Sequence, residues 1–309
     1  MEKSVMAGRE HNIVSVSGGK DSTAMLLLAI ERKTENLQAV FADTGHEHQM
    51  TYEYIQYLSD KIIPIRTVKA DFTRAIEGKR KTVETKWREE GISEDKIGRA
   101  LEVLKPTGIP FLDGCIAHGR FPGAMVRWCS DELKTQPVYY QVLEPLLNAG
   151  DDVVEWHGVR ADESRKRSCL TEREFKKAYD TGAERWIYRP ILSWTAEQCF
   201  EMHKKHGIDP NPLYKLGMSR VGCMPCIHVR KSELNEISNR FPEEIERVSD
   251  WEKIVKQASK QDKGCFAVVD GCFGIKKTCE WAKTTRGNKN FDMFSGDAPS
   301  CSSVYGLCE

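Results

Sequence analysis

The 309-residue sequence has no excess of charge: 46 Lys and Arg stand against 46 Asp and Glu, a formal net charge of zero. That excludes a global basic field, so any contact with a nucleic acid must rest on a local patch. Long hydrophobic runs are missing as well, and nothing approaches the ~20 apolar residues that a bilayer span requires. The opening MEKSVMAGREHN has no apolar core and does not read as a signal peptide. There is no internal repeat and no low-complexity segment. Cysteine, by contrast, is plentiful, but eleven thiols at irregular spacing fit no disulfide framework. A cytoplasmic globular protein is expected, its cysteines divided among buried hydrophobes, metal ligands and nucleophiles.

Ile13, Val14 and Val16 form a short β-branched strand that runs into a glycine turn. Asp21-Ser22 then starts a helix over AMLLLAIERK, an apolar run that has to pack on a sheet. LQAVFAD (37–43) predicts a second buried strand ending at Asp43-Thr44-Gly45, and IIPIRTV (62–68) a third, with a helix over 51–58 between them. Strand character returns in VVEWHGV (153–159) and WIYRPIL (186–192). Strands alternating with helices imply an α/β fold with a doubly wound, mostly parallel sheet and a ligand at the carboxyl ends of its strands. Residues 74–105 are rich in both charges and read as a solvated helical insertion, with a substrate lid as the alternative. After Cys226 come an amphipathic charged helix and a Gly-, Cys- and Lys-rich tail. The expected division is 1–226 and a smaller helical, Cys-rich region, 227–309.

The strongest signal is Ser17-Gly18-Gly19-Lys20-Asp21-Ser22 between a strand and a helix. Two glycines let the backbone turn sharply, so that successive N–H groups face one anion. The following helix adds its positive end, Lys20 a full charge, and Ser17 and Ser22 hydroxyl donors. The G-x-x-x-x-G-K-[ST] spacing of a Walker A loop is absent. A strand-end SGGKDS instead resembles the signature of the PP-loop ATP pyrophosphatase superfamily. FADTGHEHQMTYEY, HGVRADESRKR and YRPILSWTAEQCFEMHKKHGIDPNPLYKLGMSRVGCMPC are similar to segments of its adenylylsulfate and phosphoadenylylsulfate reductase branch. The likeness spans roughly residues 11 to 230. It implies the adenine-nucleotide α-hydrolase type of fold, with ATP and Mg²⁺ bound and cleavage between the α- and β-phosphates. The SGGKDS residues, Asp43, Gly158, Arg160 and Arg165 become the candidate ATP site, and Lys20, Arg160 and Arg165 the candidate catalytic cations. Arg167 adds a third positive charge to its segment, with Glu163 and Ser164 as orienting partners.

A Cys-x-x-Cys turn, Cys223 to Cys226, aims two thiolates at one centre, and a third thiol from a distant segment makes a site. In the adenylylsulfate reductases such a turn and a Cys-Cys pair bind a [4Fe–4S] cluster. Here Cys129 falls on the first cysteine of that pair and Ser130 on the second, so one ligand is missing. The resemblance favours iron–sulfur over zinc, and over a metal-free redox pair. Cys301 is the expected fourth ligand, with Cys115 as the fallback. Cys308, in the closing Tyr305-Gly306-Leu307-Cys308-Glu309, is the expected free thiol that carries sulfur or electrons. His46, His48 and His228 read as structural, and Cys169, Cys199, Cys265, Cys272 and Cys279 as core or incidental thiols.

Two activities share these motifs. Relatives such as the ATP pyrophosphatases of DNA phosphorothioation adenylate an oxygen on a nucleic acid, and sulfur then replaces AMP. That reading implies a cysteine desulfurase as sulfur donor and a nucleic-acid substrate. Lys79-Arg80-Lys81, Arg165-Lys166-Arg167 and Lys276-Lys277 are the candidate phosphate contacts. The alternative is an adenylylsulfate or phosphoadenylylsulfate reductase using a thiol nucleophile. Its tail motif is scrambled here. A nucleotide sensor without turnover is the third reading.

Overall fold

The computed structural model describes residues 8–123, 126–266, 268–269 and 272–284. Cys301 and Cys308 lie outside them. The strands are β1 (Glu10–Ser15), β2 (Leu37–Asp43), β3 (Ile65–Lys69), β4 (Asp152–Trp156), β5 (Arg173–Ala178) and β6 (Glu184–Tyr188). They form one sheet in the order β3-β2-β1-β4-β6-β5. All neighbours run parallel except β5, which lies antiparallel to β6 at the edge. The α/β, doubly wound reading therefore holds. Strand order departs from β1 in one direction through β2 and β3, then returns to place β4 on the other side. β1 and β4 thus flank a topological switch point, where ligands settle beyond the strand ends in open sheets of this kind.

Local chemistry explains most of these elements. Val14 and Val16 are buried in the β1 region, and helix α1 (Lys20–Glu31) buries Ala24 through Ala29. A helix apolar on all sides has to be covered on all sides; α1 is sandwiched between the sheet and the Ala196–Lys205 helix. Helix α2 (Gln49–Lys61) starts at His48, whose Nδ1 accepts the Met50 N–H at 3.1 Å. β3 begins only after Pro64, which has no N–H to give the ladder. β5 went unpredicted because REFKKA is mostly exposed and lacks an apolar alternation.

Two apolar layers cover the sheet. One joins Met25, Leu27, Tyr54 and Met202; the other joins Ile13, Val40, Leu143 and Val153. A third core is mostly helical. Ile76, Val83, Trp87, Ile97 and Leu104, from the charged stretch expected to be a solvated insertion, are all buried. They share one cluster with Ile237, Val248, Val255 and Ile275 from the other end of the chain. The charges of 74–105 occupy one face only; its apolar face meets the C-terminal helices Lys231–Arg240, Pro242–Ala258 and Ile275–Ala282.

Candidate functional site

The glycine loop leaves β1 at the switch point and is held from behind. Gly18 has φ +74°, and a Cβ there would lie 3.1 Å from Thr51 Cγ2. Ser22 Oγ accepts the Ser17 N–H at 3.1 Å and donates to Gly19 O at 3.0 Å. Three residues from far along the chain complete the support. Tyr214 Oη accepts the Lys20 N–H at 2.8 Å, Asn211 Nδ2 donates to Gly18 O at 3.3 Å, and His203 Nε2 donates to Lys20 O at 3.0 Å. All three are at most 1% exposed. Burial holds the His203 imidazole below its ordinary pKa, as a neutral donor requires. Nothing in the sequence announces these three residues; Asn-Pro-Leu-Tyr carries no signal of its own without the fold.

The charges converge on Asp21. Its Oδ2 meets Lys20 Nζ at 3.1 Å, and its Oδ1 accepts from Arg160 Nη1. Arg160 Nε also donates to Asp162 Oδ1 at 3.1 Å. Lys20 and Arg160 are each 5% exposed, so two nearly desolvated cations share one carboxylate. Arg160 reaches it because Gly158 lets the segment after β4 lie directly on the start of α1. A Cβ at Gly158 would sit 3.3 Å from Ser22 N and Cα. Lys20, Asp21, Gly158 and Arg160 are therefore brought together. Arg165 is not: it is exposed on the short Arg165–Ser168 helix, where Arg167 pairs with Glu163. Cys199, read as a core thiol, is buried beside the Asp21–Arg160 pair, and burial pushes its pKa up to about 12.

Asp43 closes β2 with both carboxylate oxygens engaged. Oδ1 accepts from Gly45 N and Tyr52 Oη, both at 2.8 Å, and Oδ2 pairs with Lys69 Nζ at 2.7 Å. Tyr52 Oη is also 3.3 Å from Glu47 Oε2, which links Asp43 to a second buried carboxylate. Glu47 accepts from Thr44 Oγ1 at 2.8 Å and from Cys223 Sγ at 3.7 Å. Thr44 Oγ1 is itself 3.5 Å from that sulfur, and Cys223 bridges to Glu47 along the backbone. The loop after β2 thus carries Asp43 at the nucleotide end and docks the Cys-x-x-Cys turn at the other.

Lys134 joins this second centre. It lies in a helical run from Trp128–Ser130 to Glu144–Asn148 that is widened by two π turns, Asp131–Thr135 and Tyr139–Leu143. Pro137 and Pro145 have no N–H for the turn before them, and π turns of this kind recur at functional sites. The nearby Cys223 thiol, with Glu47, Cys226 and Cys129, raises the Lys134 pKa. Burial pushes Cys223 up to about 12 against the opposing effect of Lys134, and burial likewise raises Cys129. Cys226 is an electrostatic neighbour of both Cys129 and Cys223. Cys115, fully buried in the Pro110–His118 helix, is a neighbour of Cys129.

The donor chemistry of these thiols, soft sulfur on three segments, suits an iron–sulfur cluster. Among the described residues no three His, Cys, Asp or Glu side chains stand where one metal ion could be held.

Of the three basic runs, Lys79-Arg80-Lys81 is partly taken up by the fold, and Lys276-Lys277 is exposed. Arg80 donates to the carbonyls of Leu101 and Leu104 at 2.7 and 3.0 Å, and Lys276 pairs with Glu246 at 2.7 Å. Arg165-Lys166-Arg167 remains on the surface five residues beyond Arg160. A cleft of about 580 Å³ lies elsewhere, beside the amino end of β1, between Arg9, Arg32, Glu35 and Tyr188. Its polar side chains satisfy one another: Trp156 Nε1 donates to Asn12 Oδ1 at 2.8 Å, and Arg32 to Tyr188 Oη at 2.5 Å. Chemistry therefore points to the glycine loop and not to this cleft. No helix among the described residues is long and apolar enough to cross a membrane.

A switch-point SGGKDS loop facing an arginine after β4 defines a nucleotide-binding member of the PP-loop, adenine-nucleotide α-hydrolase superfamily. The particular family follows from residues 11–229, which match the phosphoadenosine phosphosulfate reductase domain; the chain belongs to that family. It is 48% identical to an uncharacterized 37.8 kDa protein of Escherichia phage 186, with 96% of each chain covered. It is 27% identical to a phosphoadenosine 5'-phosphosulfate reductase of Buchnera aphidicola, over 68% of each chain. It is also 27% identical to the uncharacterized protein MJ0066 of Methanocaldococcus jannaschii, of whose length it spans 42%. Among solved structures, the phosphoadenylyl-sulfate reductase of Candida auris aligns with TM-score 0.39 and 16% identity, covering 71% of this chain and 83% of that one.

Proposed function

We propose that this protein cleaves ATP between its α- and β-phosphates and passes the adenylyl group to an acceptor oxygen, as the first half of a sulfur transfer. The observation that carries the reading is the pair of buried cations, Lys20 and Arg160, held on Asp21 at the β1/β4 switch point. A polyphosphate brings more negative charge than one carboxylate and competes for both. When the acceptor oxygen attacks the α-phosphorus, the bond to the β-phosphate oxygen breaks and charge builds on the departing pyrophosphate. Once the polyphosphate has drawn Lys20 and Arg160 from Asp21, their charges would stabilise that build-up electrostatically. Loop N–H groups and the amino end of α1 favour the same anion. Mg²⁺ would enter with the nucleotide.

The second half belongs to the thiols. AMP leaves far more readily than a bare oxygen, so a sulfur nucleophile can displace it. Cys223 is linked through Glu47 and Tyr52 to Asp43 at the end of β2, and these thiols would receive a sulfur delivered by a cysteine desulfurase. An iron–sulfur cluster on these thiols would supply a soft centre for sulfur or electrons, and Lys134 would offset its negative charge. Cys301 remains our proposed fourth ligand and Cys308 the proposed sulfur-carrying thiol. Arg165-Lys166-Arg167, exposed beside Arg160, is the phosphate-binding patch that supports a nucleic-acid acceptor.

The family also holds proteins named phosphoadenosine 5'-phosphosulfate reductases, and the same thiols would suit attack on a nucleotide-bound sulfate. One experiment separates the readings. The purified protein is given ATP with Mg²⁺, or adenylyl sulfate or its 3'-phosphorylated form with a dithiol. Pyrophosphate from ATP supports our reading; AMP or its 3'-phosphate released only from the sulfated nucleotides overturns it.

A further inference from the structure

Residues 230–284 lie beyond the family match, yet they reach into the thiol centre. Arg247, on the Pro242–Ala258 helix, donates through Nη2 to His46 Nδ1 at 3.2 Å and to Met224 O at 3.1 Å. Glu244, one turn earlier on that helix, pairs with the same guanidinium. His46 is fully buried, and its Nε2 donates to Pro225 O at 3.0 Å. Its own carbonyl accepts the Met224 N–H at 2.8 Å. Every backbone polar group of Met224 and Pro225, the two residues between the cysteines, is thereby held. The imidazole cannot swing away, being stacked on Phe111 at 4.3 Å and tilted against Trp251 at 5.1 Å.

These contacts have a consequence for geometry. His46 is two residues from Thr44, which touches Cys223, and three from Asp43 at the nucleotide end of β2. A short turn on the rim of a fold opens locally unless something holds it. Here the holding group is a charged donor from another layer of the protein, and charged donors make the stronger hydrogen bonds. Helix packing alone does not need it, because Val248, Trp251 and Val255 already bury the inner face of Pro242–Ala258.

We propose that Arg247 is a positioning residue for the Cys223–Cys226 turn: through His46 it fixes both thiols against the β2 loop, making the C-terminal helical layer part of the site. This rests on the reading of those thiols as reacting groups, and not on which nucleotide is cleaved. The test is differential alkylation of reduced, full-length protein by iodoacetamide, followed peptide by peptide by mass spectrometry, with buried Cys199 as the internal reference. Losing two charge-assisted hydrogen bonds should let the turn open, so Arg247→Ala raises alkylation of Cys223 and Cys226 about tenfold relative to Cys199. Arg247→Lys, which can still reach one acceptor, falls between. Val255→Ala lowers the melting temperature through a cavity in the same helix but leaves the alkylation ratio unchanged. An unchanged ratio in Arg247→Ala, or an equal rise in Val255→Ala, would overturn the proposal. ATP binding measured on the same wild-type sample reports separately on the nucleotide reading.

Discussion

Lys20→Ala and Asp21→Ala should fail in opposite ways, because one cation and the carboxylate between two cations are not equivalent. In Lys20→Ala, Asp21 keeps Arg160, so no buried charge is orphaned and the fold should lose at most about 1 kcal/mol, the scale of one modest ion pair. The ligand loses much more. Removing one preorganised group that meets developing charge typically costs about 3–4 kcal/mol, or 10²–10³ in kcat. Asp21→Ala instead removes the carboxylate shared by Lys20 and Arg160, each 5% exposed, and leaves Arg160 its ion pair with Asp162. Breaking a buried pair costs about 3–5 kcal/mol, and the partial exposure of Asp21 with the remaining Asp162 contact places this case at or below the lower end. ATP should therefore stabilise Asp21→Ala more than it stabilises wild type, since its phosphates replace the missing carboxylate. Thermal unfolding with and without ATP, beside a pyrophosphate-release assay, reads all of this. Undiminished cleavage by Lys20→Ala, or a larger loss of melting temperature in Lys20→Ala than in Asp21→Ala, would refute the reasoning.

The loop support predicts that Tyr214→Phe, which removes the acceptor of the buried Lys20 N–H, costs about 1–3 kcal/mol of stability or of nucleotide affinity, checked by denaturation and ATP titration. Gly158→Val should weaken nucleotide binding without touching a charge, because its Cβ would crowd the Ser22 backbone. Acid should destabilise the protein through its buried imidazoles. Burial lowers the His46 pKa to about 3 from 6.5, with nearby Arg247 in the same direction, so the unfolded chain takes up the proton first. Stability is complete above pH 6.5 and falls by up to about 1.4 kcal/mol per pH unit as pH drops towards 3, visible in urea midpoints at pH 7.5 and 5. For the cluster, Cys223→Ala or Cys226→Ala should remove iron and sulfide from anaerobically purified protein, and Cys301→Ser should do the same. Cys308→Ser should keep iron and ATP cleavage but lose sulfur transfer; a deletion of 300–309 that changes neither would shift the fourth-ligand role to Cys115.

The sequence by itself determined what is local. β1, β2 and α1 are contiguous runs whose apolar pattern can be met in one way, and SGGKDS places two glycines, a cation and two hydroxyls within six residues. The Cys-x-x-Cys spacing likewise singled out Cys223 and Cys226, and the resemblance to the reductases added Cys129, before any fold was known. Tertiary structure decided whatever depends on partners distant in the chain. Tyr214 meets Lys20 across 194 positions and His203 across 183, so nothing near either residue announces its role. Whether Arg160 or Arg165 faces Asp21 depends on how the segment after β4 lies on α1, a matter of packing that charge type cannot settle. The stretch 74–105 shows the same limit from the other side. Its charges advertise a solvated surface, while the apolar face that defines its place finds its partner more than a hundred residues away, in helices that also bring Arg247 to the thiols. Periodicity encodes which face of a helix is buried; only the folded chain supplies what buries it.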